Sequence, residues 1–222
     1  MKELYKHRFE IFFCTQLFIL FGSLFFPSVF FETILTPVLF LVNAAAGILL
    51  ISKKKKLMWF LIILFTISLI VFGSDMMTRE SGFQDNFIIR LSVYFVFYMI
   101  VTHQIILQIW NSKKVDNIVI IGLMCGYISL GFLAFFLFTT MEIIEPNSFN
   151  GIVIQTEGAT QGLDSIMYYS YITLMTIGYG DITPATPLAQ KAAIITGLAG
   201  QFYLVIVTAI VVGKYIKHSS KD

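Results

Sequence analysis

Charge is scarce in this sequence. Asp, Glu, Lys and Arg make up 13% of its 222 residues, while 57% are hydrophobic; a soluble domain carries about 25% charged residues. Water is therefore not the main solvent of this chain. The formal net charge of +2 is too small to imply a nucleic-acid partner, so the placement of charge matters more than its sum. Cysteine is nearly absent. Cys14 and Cys125 lie far apart, each inside an apolar stretch, and read as small buried hydrophobes rather than a disulfide or a metal site. No nucleophile has a base and an orienting group beside it, and neither a metal-ligand cluster nor a glycine-rich phosphate loop is present. Neither an enzyme nor a cofactor is expected. His7 and His218 lie near the two ends and read as interface residues.

What is abundant is long apolar sequence. A spanning helix needs roughly 20 mostly apolar residues. Six stretches approach or meet this: Phe9 to Phe26, Pro37 to Ile51 (short), Leu57 to Gly73, Phe87 to Trp110, Ile118 to Phe138 and Ala189 to Ile216. A seventh, Leu163 to Met175, is too short to span and suits a re-entrant helix. The first follows Lys2, Lys6 and Arg8 but is too long for a signal peptide and lacks a small-residue cleavage site, so it reads as a signal anchor.

Six spans put both termini on one side. Lys2, Lys6, Arg8, the run Lys53 to Lys56, Lys113, Lys114, Lys214, Lys217 and Lys221 then share a face; of the 15 Lys and Arg, only Arg79, Arg90 and Lys191 fall near the other. The positive-inside rule places that face, with both termini, in the cytoplasm. The Lys53 to Lys56 run reads as a topology anchor.

Between the seventh stretch and the last span lies Thr176-Ile177-Gly178-Tyr179-Gly180-Asp181. Gly178 and Gly180 can adopt backbone angles that other residues avoid. Glycines at alternate positions let successive carbonyls turn to the same side. Four such strands around an axis would stack rings of oxygens able to replace an ion's water shell, with Thr176 adding hydroxyls at the inner end. Non-helical backbone is tolerated at membrane depth only where protein or a cavity surrounds it, and the flanking helices supply that wall.

From about Ile118 to Ile216 the chain resembles the pore region of the potassium channel superfamily: outer helix, pore helix, filter and inner helix, in that order. The resemblance implies that Thr176, Ile177, Gly178, Tyr179 and Gly180 form a selectivity filter, with K+ as the permeant ion held at Thr176, Ile177, Gly178 and Tyr179. Asp181, the upstream Thr173 and the pore-helix pair Tyr168 and Tyr169 would support it, the two phenols by hydrogen bonds to the filter strand. Pro184 stands at the usual extracellular turn. Ile172 departs from relatives that carry a buried glutamate there, which puts inactivation through that carboxyl in doubt. One filter strand per chain implies assembly with three identical subunits around a shared axis. Gly200 falls where the family often has a hinge glycine, with helix packing as the plainer reading, and Thr208 is a cavity-lining candidate. The loop from Met141 to Gly162 reads as a turret whose Glu142, Glu145 and Glu157, with Asp164, would concentrate cations or simply be solvated.

The expected fold is therefore an all-α membrane protein: six transmembrane helices plus a re-entrant pore helix and filter loop, homotetrameric in the cell's inner or plasma membrane. Residues 1–112 would form a four-helix sensor-like region and residues 113–222 the pore domain. A voltage sensor needs Arg or Lys at every third position of its fourth span, and this one has only Arg90 near an end. Strong voltage gating is not expected. His103, with Gln104 beside it, reads as helix–helix glue before a pH sensor. The short tails leave no room for a cytosolic ligand-binding domain. The competing readings are a weakly selective monovalent cation channel and a non-conducting regulatory subunit of a larger channel. Membrane lipids are the other expected partner.

Overall fold

A computed structural model describes residues 7–27, 30–77, 83–112, 116–152 and 162–219. Lys2, Lys6, Arg79, Lys113, Lys114, Glu157 and Lys221 lie outside the described residues. The chain divides into two compact units, Met1–Val101 and Thr102–Asp222.

In the first unit, α1 (Arg8–Phe21) leads into a 3-10 turn, Gly22–Leu24. A π-turn, Phe31–Leu35, runs without interruption into α2 (Thr36–Ile51). Next come α3 (Lys55–Met77) and α4 (Phe83–Asn111), which continues into the second unit. The buried residues of α1 are Phe9, Phe12, Gln16 and Ile19, a single stripe at helical spacing. On α2 the small residues Ala44, Ala46 and Gly47 are buried, and a Cβ at Gly47 would crowd Phe97 of α4 and Phe12 of α1; small residues let apolar helices approach closely. At the centre Asn43 donates to the Phe12 carbonyl (3.1 Å) and to the Thr15 hydroxyl (2.6 Å), and accepts from the Tyr98 phenol. One neutral side chain thus ties α1, α2 and α4 together. Phe40 stacks beside Tyr94 at 5.4 Å and meets the edge of Tyr98. Cys14, expected to be buried, is exposed on the outer face of α1; α1 buries only the stripe opposite it.

The second unit contains α5 (Asn117–Ile144), β1 (Phe149–Asn150), α6 (Leu163–Leu174), β2 (Thr183–Pro184), α7 (Pro187–Phe202), a π-turn (Tyr203–Val207) and α8 (Thr208–Ser219). Local chemistry sets these boundaries. The Asp116 carboxylate accepts from the Val119 N–H at 3.0 Å and starts α5. The Thr186 hydroxyl accepts from the Ala189 N–H at 3.3 Å, with Pro187 in the first helical turn of α7. Gly162, at φ 113°, opens α6. Near the far end of α8's first turns, the Lys214 ammonium donates to the Ile109 (3.2 Å) and Trp110 (2.5 Å) carbonyls at the end of α4, which satisfies acceptors that a helix terminus leaves open.

Among the described residues, four helices are long and apolar enough to cross a membrane: Lys55–Gly73, Ile88–Asn111, Asn117–Ile144 and Pro187–Lys214. Thr36–Ile51 is apolar but shorter, and α1 has 14 residues. The seven apolar stretches of the sequence all fall on helices, so the difference from the expected count of six spans is one of length.

Candidate functional site

The site is built on α6, which is held by its aromatic side chains. The Tyr171 phenol donates to the Ile128 carbonyl of α5 at 2.7 Å. Its ring lies over Gly131, where a Cβ would stand 2.2 Å from ring carbons, and meets Phe132 edge-on at 6.1 Å. Tyr169 is partnered with the Thr173 hydroxyl one turn on and packs against Phe138 (5.1 Å) and Phe149 (5.2 Å). Ile172 is 4% exposed, an apolar wall where a carboxyl would have been costly.

The chain leaving α6 first wraps its end. The Thr176 N–H donates to the Thr173 carbonyl (3.0 Å) and the Ile177 N–H to the Ile172 carbonyl (2.8 Å). Beyond this the backbone alternates: φ is +58° at Thr176, +56° at Gly178 and +84° at Gly180. A Cβ added at Gly178 or Gly180 would meet nothing within 4 Å, so glycine is required there by conformation, not by space. Thr176 is β-branched, and a positive φ at such a residue is an outlier costing about 1–3 kcal/mol, sustained only where the surroundings over-determine it. Residues Met175 to Asp181 are all exposed, Tyr179 to 72%.

Past the alternating segment the chain is clamped. Phe149 pairs with Pro184 and Asn150 with Thr183 in an antiparallel ladder, and the Ala185 N–H donates to the Ser148 carbonyl at 2.7 Å. Gly151, at φ +87°, brings its backbone so close that a Cβ would stand 2.5 Å from the Asp181 carbonyl oxygen. Glu142 holds the other side of this clamp. It is 6% exposed, and its two carboxylate oxygens accept from the Asn147 (2.9 Å) and Phe149 (3.1 Å) N–H groups. Of the acids expected to be solvated turret charges, Glu145 is exposed and Glu142 is a buried backbone acceptor. Tyr168 reaches the Asp181 carboxylate. That hydrogen bond is the main cause that pushes the phenol pKa above its ordinary value, helped by partial burial and by nearby negative charge.

At the other end, α7 is seated against α6 through Gly200. A Cβ there would lie 2.0 Å from the Leu174 carbonyl oxygen, so the closeness of the two helices depends on this glycine. The π-turn begins at Tyr203, whose phenol donates to the Leu123 carbonyl of α5 at 2.7 Å across Gly126. Gln201 donates from Nε2 to the Thr176 hydroxyl at 3.2 Å. Thr208 is exposed at the start of α8. The fold thus brings Thr173, Thr176 to Asp181, Tyr168 and Gly200 around one loop, while Tyr169 turns toward α5 and β1.

Residues 118–217, from α5 to α8, match the family model described as an ion channel. Over these residues the chain is similar to ion channels. Together with the four crossing helices, this makes it an integral membrane protein. A 50-residue stretch is 44% identical to "Two pore potassium channel c" of Oryza sativa subsp. japonica, covering 22% of this chain and 11% of that protein. No solved structure matches the chain. Within residues 118–217, sequence reasoning missed Tyr171, Gln201 and Tyr203, and read Glu142 as a turret charge where it is a buried acceptor of backbone N–H groups. Glycines at 126, 131 and 200 were the available signal for close approaches, but nothing in the sequence says which tyrosine fills which gap.

Proposed function

We propose that the chain is one subunit of a homotetrameric, potassium-selective channel conducting K+ passively through a central pore. The observation that carries this reading is the alternation of left-handed backbone at Thr176, Gly178 and Gly180. Such alternation turns successive carbonyls to one side, the arrangement that replaces an ion's hydration shell. Thr176, Ile177, Gly178 and Tyr179 would supply the K+ sites, with K+ as cargo and no cofactor. Asp181, Thr173 and Tyr168 would hold the strand, with Tyr169 acting on it through its bond to the Thr173 hydroxyl and not by a bond of its own to the strand. The name of the rice relative supports the choice of K+.

Fourfold assembly is supported by what a single chain leaves open. Ile177 and Tyr179 are exposed, as are Ile194, Ile195, Leu198 and Phe202 on α7. Closed symmetry covers such faces with copies of the same chain. Six spans are supported by the continuous helical path into α2 from the preceding π-turn and by the 3-10 extension of α1. With six spans both termini face the cytoplasm of the cell's plasma or inner membrane. Residues 1–112 form the sensor-like region and 113–222 the pore domain.

The test is cation flux from the purified full chain in liposomes. K+ and Rb+ are expected to pass and Na+ and Li+ to be excluded. Gly178→Asp removes the φ-permissive residue and adds a charge, so flux or selectivity is expected to be lost. Unchanged K+ flux in that variant overturns the proposed path.

A further inference from the structure

Gln201 is not among the filter residues named above, yet its position is unusual. It lies within a crossing helix whose other exposed side chains nearby are apolar: Leu198, Phe202, Leu204 and Val205. A carboxamide facing hydrocarbon is costly, so intramembrane polar groups face a cavity or a protein partner. Gln201 is exposed, and its hydrogen-bond partner is the Thr176 hydroxyl. With Nε2 committed to that bond, the carbonyl Oε1 accepts nothing among the described residues. Its height is fixed by the preceding residue, since Gly200 is seated on the Leu174 carbonyl. Its lateral position is fixed two residues on, where Tyr203 is tied to the Leu123 carbonyl.

We propose that Gln201 forms an additional cation-coordinating site at the inner end of the filter, its Oε1 directed at the conduction axis below the Thr176 hydroxyl. This rests on the tetrameric-channel reading. Four copies place a ring of amide oxygens beneath the ring of hydroxyls. Amide oxygens are hard, neutral ligands suited to K+ and to oxygen-bound divalent cations of similar size. The same hydrogen bond holds the positive-φ Thr176 in place, so Gln201 is also a positioning residue for the innermost filter site.

The test uses the full chain in planar bilayers, with Ba2+, a divalent ion close to K+ in size, added from the side on which α8 ends. Gln201→Leu removes the oxygen and is expected to raise the half-blocking Ba2+ concentration at least tenfold. Gln201→Glu replaces the neutral ligand with a charged one of the same shape and is expected to lower it at least tenfold. Gln201→Asn keeps the amide one methylene short and should fall between wild type and Leu. Half-blocking concentrations within threefold of wild type in the Leu and Glu variants overturn the inference while the channel reading stands. Should the Leu variant fail to fold, the opposite shifts in Glu and Asn carry the test. A wild-type protein without K+ current overturns the channel reading and this inference with it.

Discussion

At the scale of single residues, two side chains change meaning once their surroundings are known. Gly200 occupies a hinge position by resemblance, and the Leu174 carbonyl gives it a packing role as well. Gly200→Ala is expected to destabilise the detergent-solubilised protein by about 1–3 kcal/mol, the usual cost of overpacking. A melting temperature equal to wild type would show that α6 and α7 can part without cost. Glu142 is the second. Glu142→Leu leaves two backbone N–H groups without their acceptor, at about 1–3 kcal/mol each, whereas Glu142→Gln keeps one acceptor oxygen. Thermal unfolding is expected to rank wild type above Gln above Leu. The salt dependence of conductance should respond to Glu145 and not to Glu142 when the Glu142 variant retains its fold. The alternating glycines were legible in the motif because they answer to local backbone geometry. The positive φ of Thr176 was not, since it accompanies the way the chain wraps the end of α6 rather than following the residue's own preference.

At the scale of elements, the seam that joins α6 and the π-turn after α7 to α5 is drawn by phenols. Tyr171 and Tyr203 each donate to an α5 carbonyl, Ile128 and Leu123. Tyr171→Phe and Tyr203→Phe keep the rings and delete only these bonds, so each is expected to cost on the order of 1 kcal/mol. A larger loss for Tyr203→Phe, where the π-turn begins, would mark that turn as the weaker joint. Tyr168 gives the seam a pH dependence. Its pKa is raised above the unfolded value of 10.0, so its bond to Asp181 is fully present below that value and is lost as pH climbs through the raised one. K+ flux should therefore be flat from neutral pH to about 9 and fall only in stronger alkali, and Tyr168→Phe should remove that alkaline step. Helix positions were largely readable from apolar length, as the expected Leu163 to Met175 against the observed Leu163–Leu174 shows. The β1–β2 clamp was not. Two residues on each strand carry no periodicity, and their pairing depends on Gly151 meeting Asp181 from a distant part of the chain.

At the scale of the whole molecule, the two units carry different chemistry. The first is knit by neutral polar contacts around Asn43. His103 is exposed on α4, while its neighbour Gln104 is buried. With Arg90 the lone cation on the described, membrane-crossing part of α4, the proposed channel should open with a shallow dependence on voltage. Each charge crossing the field is worth about 2.3 kcal/mol per 100 mV. A steep conductance–voltage curve requiring several such charges would contradict this. The central claim is selectivity, and it is tested most directly by the reversal potential of the purified wild-type chain in a planar bilayer with K+ on one side and Na+ on the other. The account expects a potential far from zero that follows the K+ gradient when K+ is varied. A reversal potential near zero, with Na+ carrying as much current as K+, would contradict it.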